Sequence, residues 1–375
     1  MHMNDFGERK SGRFTTTLQG NAAFIPDPLM ALDLPITWQL ASQLSAADAA
    51  VAEAVGACRR QLNPSLVIRP FQRNEAILSS RIEGTIATPQ ELAVMEADPA
   101  AGLRGSEDAK EVHNYLRALD LGIEQLATLP LSLRLIRNLH ECLMKGVRGE
   151  EKTPGEFRRD QVSIGKKGQT EKEARFVPPP PLDMVSCLDD FERFLHTDRY
   201  PSLIRMAIMH YQFEAIHPFG DGNGRTGRLL MALFLQAEKR TESPIVYLSP
   251  FFERNDREYR DLLLSVSTHG TWIEWVSFVL GGIVSQCQEA TRRIGELDVL
   301  ATDFKARIRK APGPLQAVVE DLFFSPIIHA DMIAAKYGVS HQTAMNWIGR
   351  LQEAGILNGA QKSGRRTLYI AKELL

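Results

Sequence analysis

The sequence EAIHPFGDGNGRTGRLL, residues 214–230, combines a histidine, an aspartate, an asparagine and two arginines with four glycines. Glycine loses more backbone entropy on folding than any other residue, so a segment this rich in glycine is costly to order. The pattern therefore indicates a loop whose peptide N–H groups approach a ligand closely. The arginines favour an anionic ligand.

The residues around this loop exclude two common nucleotide-binding motifs. Residues 222–227 formally fit the GxGxxG pattern of dinucleotide-binding domains, but that pattern requires a preceding buried strand. The preceding run, LIRMAIMHYQFEAIH, carries polar residues at helical intervals, and no GK[ST] ending of a phosphate-binding P-loop follows. The sequence predicts a helix, a loop and a second helix.

The second helix is predicted to begin near Arg225, so its unpaired N–H groups and dipole would favour an anion. Arg225 and Arg228 lie three residues apart and share one helical face. Cations at a helix N-terminus oppose the dipole, so their presence suggests polyphosphate recognition. Asp221 offers a hard oxygen for Mg²⁺, and His217, at the end of the first helix, is placed as a general base.

The segment HPFGDGNGRTGR, residues 217–228, resembles the Fic motif HPFx(D/E)GNGRxxR at every defined position. The resemblance implies a protein adenylyltransferase that transfers AMP from Mg-ATP to a Ser, Thr or Tyr hydroxyl of a protein and releases pyrophosphate. His217 would deprotonate the hydroxyl, Asp221 would hold Mg²⁺, Arg228 would contact the γ-phosphate and Phe219 would anchor the loop. The ATP-binding positions implied are Gly222, Asn223, Gly224, Arg225, Thr226, Gly227 and Arg228.

Two further segments match parts of this family. Residues 160–177 correspond to a hairpin flap that docks the target by strand addition, with Val162, Ser163, Ile164 and Gly165 as docking residues. Tyr259 would stack on adenine. An ordinary surface hairpin and a core tyrosine are the alternatives that the sequence leaves open.

The segment AILSSRIEGT, residues 76–85, resembles the Fic inhibitory motif (S/T)xxxE(G/N). Ser79 and Glu83 are four residues apart, on one face of a helix predicted at about 71–84. By this resemblance, Glu83 would pair with Arg228, occupy the γ-phosphate position and force ATP into an unproductive geometry.

Residues 313–375 are predicted to form a winged helix-turn-helix, with a recognition helix capped by Ser340 and a wing that contains Lys362, Arg365 and Arg366. Basic and acidic residues nearly balance in this segment, whereas strong phosphate binding requires a basic excess. DNA contact, protein docking and dimerisation are left open.

The predicted fold is mainly α: a Fic helical core with a small β-hairpin flap, and a C-terminal winged-helix domain. The predicted boundaries are a disordered tail at 1–20, an N-terminal helical region at 21–104, a catalytic core at 105–300 and the winged helix at 313–375. The net charge is −2, the four cysteines lack metal-ligand spacing, and the N-terminal residues lack an apolar signal core. We expect a cytoplasmic protein without a membrane span.

The leading hypothesis is a self-inhibited adenylyltransferase with ATP and Mg²⁺ as cofactors and a protein as substrate. Self-modification, in which the chain is its own substrate, is left open. One alternative is a nucleotide-sensing DNA-binding regulator. Another is a hydrolase that removes AMP at the same site, with Glu83 orienting a water. The sequence does not decide whether the protein is a homodimer.

Overall fold

The computed structural model describes the chain except residues 2, 9, 62, 99–105, 166–167, 310 and 365, and it describes only the backbone of residues 4, 65 and 66. The predicted wing residue Arg365 and the predicted start of the catalytic core at residue 105 lie outside the described residues. The fold is mainly helical with few short strands, as predicted.

The described part of the chain is built mainly from α-helices, all of which have at least eight residues except α9, which has six. In chain order the α-helices are α1 (Trp38–Arg59), α2 (Ser65–Ile82), α3 (Pro89–Ala97), α4 (Glu107–Gln125), α5 (Leu133–Met144), α6 (Pro181–Leu195), α7 (Ser202–Ile216), α8 (Asn223–Ala237), α9 (Ser249–Arg254), α10 (Asp256–His269), α11 (Trp272–Arg307), α12 (Gly313–Phe324), α13 (Ala330–Tyr337) and α14 (His341–Glu353). The strands are β1 (Gly12–Thr16), β2 (Ala22–Pro26), β3 (Ile327–Ile328), β4 (Gly359–Ser363) and β5 (Arg366–Ile370).

The chain divides into two compact units, and the divisions fall inside α1, α4 and α11. The first unit comprises residues 1–52 and 117–287, and the second comprises residues 53–116 and 288–375. The predicted N-terminal helical region and the predicted C-terminal domain thus contribute to the same unit. Sequence periodicity could not show this grouping, because it reports local structure and not which distant segments pack together.

In the first unit, α7 and α8 pack against each other and are buried along nearly their whole lengths. Within α8, every residue from Leu229 to Leu235 is buried, so this part of the helix is enclosed on all sides. α6 and α10 pack on α7, and α5 packs on α8. The indole N–H of Trp275 on α11 donates to the carbonyl of Ala207 at 2.8 Å. The two helices that flank the glycine-rich loop are therefore fixed within the core.

The prediction of a disordered tail at residues 1–20 was wrong for the described residues. Strand β1 lies within this segment and pairs antiparallel with β2. The hairpin is stabilised by packing: Phe14 and Phe24 contact Phe6, and Phe24 also contacts Phe176. The polar composition of residues 1–20 concealed these aromatic anchors. Of these rings, only Phe176 lies far away in the sequence.

In the second unit, α2 packs on α12, and α13 packs on α14. The C-terminal strands form an antiparallel sheet in the order β3-β5-β4, whose apolar residues pack on α3. The predicted helix capped by Ser340 is confirmed as α14, and the Ser340 side chain accepts the amide N–H of Thr343 at 3.1 Å. α2 begins before Pro70, whereas the sequence prediction placed its start after it. Packing on α12 accommodates the proline that local propensity treats as a helix breaker.

Candidate active site

The loop between α7 and α8 begins with His217, which is the C-cap of α7 and adopts the left-handed conformation (φ 50°, ψ 61°). A residue with a Cβ atom is strained in this conformation by about 1–2 kcal/mol. The strain is held by the surroundings: the amide of His217 donates to the carbonyl of Phe213 at 2.9 Å, and its own carbonyl accepts from Arg158. The half-buried imidazole is thereby directed by a fixed backbone.

Arg158 links the start of this loop to the two ends of the flap segment, a role the sequence analysis missed. Its guanidinium group donates to the carbonyls of His217 at 2.8 Å, Asp160 at 3.1 Å and Pro179 at 2.5 Å. The side chain is buried, and this burial lowers the pKa of Arg158 to about 10. The planar guanidinium group of Arg158 therefore binds several carbonyls at once. The single ammonium group of a lysine could not make the same set of hydrogen bonds.

Phe219 and Asn223 close the middle of the loop. The amide of Phe219 donates to the Asn223 side-chain oxygen at 2.8 Å, and the Asn223 side-chain nitrogen donates to the Phe219 carbonyl at 2.8 Å. Phe219 is fully buried, in agreement with its implied anchoring role. The Asn223 carboxamide is engaged in this reciprocal bond, so Asn223 offers a phosphate its backbone more readily than its side chain.

His140 on α5 supports the loop from beneath and was also missed. Its ring stacks on Phe219 with centroids 3.7 Å apart. The Gly155 amide donates to His140 Nδ1 at 2.9 Å, so the ring proton is on Nε2, which donates to the Asp221 carbonyl at 2.9 Å. The pKa of His140 is lowered to about 4, mainly by burial and to a smaller extent by the Arg225 charge, while the hydrogen bond to the Asp221 carbonyl opposes this shift. His140 is therefore neutral at physiological pH.

Neither Arg158 nor His140 carried a recognisable local signal. Arg158 lies beside a second arginine in a polar segment, and His140 lies on an amphipathic helix. Their importance follows from contacts with residues more than 50 positions away along the chain. Only the folded structure brings these groups together.

α8 begins at Asn223, two residues earlier than predicted, with Gly222 as a left-handed N-cap (φ 74°). Arg225 and Arg228 lie in its first two turns and are only 4% and 2% exposed. Arg225 contacts the sulfur of Met144 at 3.5 Å. Buried cations at the positive end of a helix dipole are unfavourable alone, so this terminus is suited to an anion.

The remaining loop positions have distinct surroundings. The Thr226 hydroxyl donates to the Gly222 carbonyl at 2.9 Å and is buried. A Cβ atom at position 227 would lie 2.7 Å from Glu214 Oε1 and 3.1 Å from the Phe213 ring, so glycine there permits close helix packing. Gly224 is partly accessible. Thr226 and Gly227 therefore stabilise the loop and its packing against α7.

Asp221 is exposed at the loop tip, and its Oδ1 accepts the Gly222 amide at 2.6 Å. Among the described residues, no group of three or more His, Cys, Asp or Glu side chains could hold a metal ion. Mg²⁺ in phosphate-transfer sites is typically bound by one or two carboxylates together with substrate phosphates. A single carboxylate at this position fits Mg²⁺ that arrives with a nucleotide.

Tyr259 lies in the core and not on an open surface. The ring is 3% exposed, stacks on Phe252 at 4.4 Å, and has its hydroxyl 2.7 Å from His210 Nε2. Burial and, to a smaller extent, the charge of Arg228 together lower the pKa of His210 to about 3. This placement favours the core-tyrosine alternative over stacking on a bound base.

The predicted flap is less regular than a hairpin. Its described residues form one antiparallel bridge, in which Ile164 and Phe176 exchange backbone hydrogen bonds of 2.8 and 3.0 Å. Val162 and Ile164 are half-buried, whereas Ser163 and Gly165 are exposed. Arg175 pairs with Asp261 on α10. The segment is thus tied to the first unit at its base and along one edge.

The predicted inhibitory residues belong to the second unit. Ser79 is buried on α2, and Glu83 is the exposed C-cap residue of that helix, followed by Gly84 in the left-handed region (φ 88°). The Thr85 hydroxyl donates to Glu111 at 2.6 Å and fixes the chain just after the helix. An acidic residue at a helix C-terminus opposes the dipole.

The fold and the loop together define a helical protein in which a histidine precedes a helix N-terminus with two buried arginines. The sequence matches the Fic/DOC family over residues 130–235 and the Fic/DOC family N-terminal domain over residues 41–124. The chain therefore belongs to the Fic/DOC family.

Several known proteins resemble the chain. It is 34% identical over 165 residues to Protein adenylyltransferase Fic of Drosophila virilis, and 33% identical over 165 residues to the protein of that name from Drosophila erecta. Each alignment covers 41% of this chain and 30% of the relative, so the chain spans less than a third of these relatives' length. A Fic family protein from Desulfovibrio desulfuricans G20 has a similar structure, with a TM-score of 0.58, 20% identity, and coverage of 90% of this chain and 97% of that one. The structural similarity supports the fold.

No helix among the described residues has the length and apolar character needed to cross a membrane.

Proposed function

We propose that this chain is a protein adenylyltransferase that transfers AMP from ATP to a Ser, Thr or Tyr hydroxyl of a protein. The observation that carries the proposal is the burial of Arg225 and Arg228 at the N-terminus of α8, directly after a histidine held in a strained conformation. Family membership and relatives named as adenylyltransferases support the same reaction.

The chemistry follows from the residues in the loop. The imidazole of His217 accepts the proton of the target hydroxyl, and the hydroxyl oxygen attacks the α-phosphorus of ATP. A new P–O bond forms as the bond to the pyrophosphate oxygen breaks, and pyrophosphate leaves. Arg225, Arg228 and the amides at the start of α8 stabilise the phosphate charge. Mg²⁺, when bound by Asp221 and the phosphates, would neutralise further charge.

We propose that Glu83 inhibits this reaction by pairing with Arg228 in place of the γ-phosphate. Its position supports the idea, because a carboxylate at the end of α2 weakens its own helix by about 0.3–1 kcal/mol. The guanidinium groups on α8 likewise oppose their helix dipole. Glu83 and Arg228 carry opposite charges, as an ion pair between them requires. Ser79, which lies one helical turn before Glu83 on α2, is buried.

The test is the intact mass of the protein after incubation with Mg-ATP. We expect Glu83→Gly to gain the mass of AMP, the unaltered chain to gain little, and the double variant Glu83→Gly with His217→Ala to gain none. Glu353→Gly is the matched control, since Glu353 is also an exposed acid at the last position of a helix. No gain in Glu83→Gly together with salt-dependent DNA binding would favour a nucleotide-sensing regulator instead.

We also propose that the catalytic core extends over about residues 105–300 and that residues 313–375 form a winged helix that docks protein rather than DNA. The wing residue Arg366 supports docking, because it pairs with Asp98 and Asp331 at 3.2 Å each. Lys336 pairs similarly with Asp321 at 2.7 Å. These internal carboxylates reduce the positive charge offered to a phosphate backbone. The free cysteine thiols are consistent with a cytoplasmic location.

A further inference from the structure

Residues 145–155, named here the crossing segment, follow α5 and pass close to the loop between α7 and α8. A Cβ atom added at Gly220 would lie 3.1 Å from the Cβ of Lys152, which belongs to this segment. A Cβ atom added at Gly222 would lie 2.6 Å from the sulfur of Met144, the last residue of α5. Glycines of the loop therefore allow another part of the chain to approach closely, in addition to a ligand.

The backbone of the crossing segment is itself strained. Thr153 adopts the left-handed conformation (φ 51°, ψ 71°), which is a clear exception for a β-branched residue. Such strain persists where the surroundings enforce it, and it concentrates at functional sites. Two residues further on, the Gly155 amide donates to His140 Nδ1 at 2.9 Å, and His140 donates to the Asp221 carbonyl. The segment thereby supports the main chain of Asp221 through His140.

The Asp221 side chain is confined between an amide and a glycine. Its Oδ1 accepts the Gly222 amide at 2.6 Å, and its Oδ2 lies on the side of Gly149, which is left-handed (φ 88°, ψ 2°). A Cβ atom at position 149 would lie 2.7 Å from Oδ2 and 3.2 Å from the Asp221 Cβ. Turning the carboxyl group would relieve only the first of these contacts. A side chain at position 149 therefore displaces Asp221 as a whole.

We propose that Gly149 is a positioning residue for Asp221, an inference that rests on the proposed function, in which Asp221 holds Mg²⁺ together with the ATP phosphates. Mg²⁺ requires nearly ideal octahedral geometry at short metal–oxygen distances, so it tolerates a displaced ligand poorly. Groups that orient the ligands of a metal commonly contribute about 10- to 100-fold to metal affinity. The bare Cα of Gly149 lets the carboxylate stay where the Gly222 amide holds it.

The test separates the metal from the nucleotide. Calorimetry measures the affinity for α,β-methylene-ATP, which cannot transfer AMP, once in Mg²⁺ and once in EDTA. The ratio of the two dissociation constants reports what the metal contributes to binding. In the Glu83→Gly background we expect Gly149→Ala to reduce this ratio about tenfold and to leave the affinity in EDTA unchanged.

Gly146→Ala is the matched control. Gly146 is also left-handed (φ 68°) and lies in the same segment, but a Cβ atom there would have nothing within 4 Å. Alanine therefore introduces the same kind of backbone strain at both positions and a contact with Asp221 only at Gly149. We expect Gly146→Ala to keep the ratio of the parent.

Asp221→Asn provides the reference, because Gly149 is expected to act through this carboxylate. The ratio should fall in Asp221→Asn, and adding Gly149→Ala should cause no further fall, since changes that act through one contact are not additive. Thermal melts establish that the variants fold. If Gly149→Ala does not fold, Gly149→Asn introduces a Cβ with less strain, because asparagine tolerates the left-handed conformation, and it should reduce the ratio as well.

An unchanged ratio in the folded Gly149 variants, or an equal loss in Gly146→Ala, would overturn the assignment. A loss of affinity that is as large in EDTA as in Mg²⁺ would also overturn it, because the effect would then reach Arg225 through its contact Met144. Equal binding by the parent in Mg²⁺ and EDTA would exclude the metal role of Asp221, while the mass assay would still test AMP transfer. A parent that binds the analogue in neither condition would contradict the proposed function itself.

Discussion

The loop at residues 217–228 and the flap at residues 160–177 belong to the same compact unit but are held in different ways. The loop is fixed by two buried side chains from elsewhere in the chain, Arg158 and His140, and by its own buried Phe219, on which His140 stacks. The described part of the flap has one antiparallel bridge and an exposed face. The contrast suggests that the loop carries fixed geometry, while the flap keeps backbone groups accessible to a partner.

Arg158 connects the two regions, so its replacement should have the largest effect. We expect Arg158→Lys to lower the rate constant of AMP transfer about 100-fold, since a displacement of a reacting group by about 1 Å can cost this much. The measurement is kcat and KM for ATP in the Glu83→Gly background, with a larger change in kcat than in KM.

The control is Arg159→Lys, because Arg159 is an exposed neighbour that pairs with Glu156. The pH profile of kcat should also shift in Arg158→Lys if His217 is misplaced. Equal losses in the two lysine variants would show that Arg158 has no special role in holding the loop.

A second test introduces backbone strain into the loop. Gly222→Ala places a Cβ at φ 74° and within 2.6 Å of the Met144 sulfur, so we expect a stability loss of about 1–2 kcal/mol and weaker ATP binding. Gly281→Ala on α11, where nothing lies within 4 Å, should instead gain about 0.5–1 kcal/mol. Urea denaturation measures both. A neutral Gly222→Ala would mean that the loop is less rigid than its contacts indicate.

A third test uses pH, since His210 on α7 and His140 on α5 are buried and have lowered pKa values. The pKa of His210 is about 3 in the folded chain and about 6.5 when unfolded, so below pH 6.5 the unfolded chain binds the extra proton. Stability should therefore fall by about 1.4 kcal/mol per pH unit as pH decreases from 6.5 towards 3. In His210→Gln, denaturation midpoints should depend less steeply on pH over this range. An unaltered slope would exclude His210 as a contributor.

The smallest effect is expected in the flap. Ser163→Pro removes one backbone donor, so we expect AMP transfer to the chain itself to fall about 2- to 10-fold in the Glu83→Gly background. The ATP affinity measured by calorimetry should stay the same. Ser163→Ala keeps the N–H group and should behave like the parent. If both variants lose activity equally, the side chain and not the backbone of Ser163 matters.

Much of the active loop could be predicted from residue types and spacing. The motif at 217–228 indicated a histidine, an anion-binding helix terminus and two arginines, and the structure joins them in one loop between two buried helices. The strand at Gly12–Thr16 and the supports Arg158 and His140 were missed, and the burial of Tyr259 was predicted only as the alternative to stacking on adenine. Each depends on contacts between distant segments, which local patterns do not contain.

The sequence by itself determined the helical class, the position of the loop and the chemistry that its side chains offer. These properties follow from hydrophobic periodicity and residue identity, which act over a few neighbouring positions. Only the tertiary structure decided that the N-terminal and C-terminal segments form one unit, which arginines are buried, and which carbonyls Arg158 holds. Burial and long-range hydrogen bonding depend on how the whole chain packs, because desolvation is a property of the surroundings and not of the residue alone.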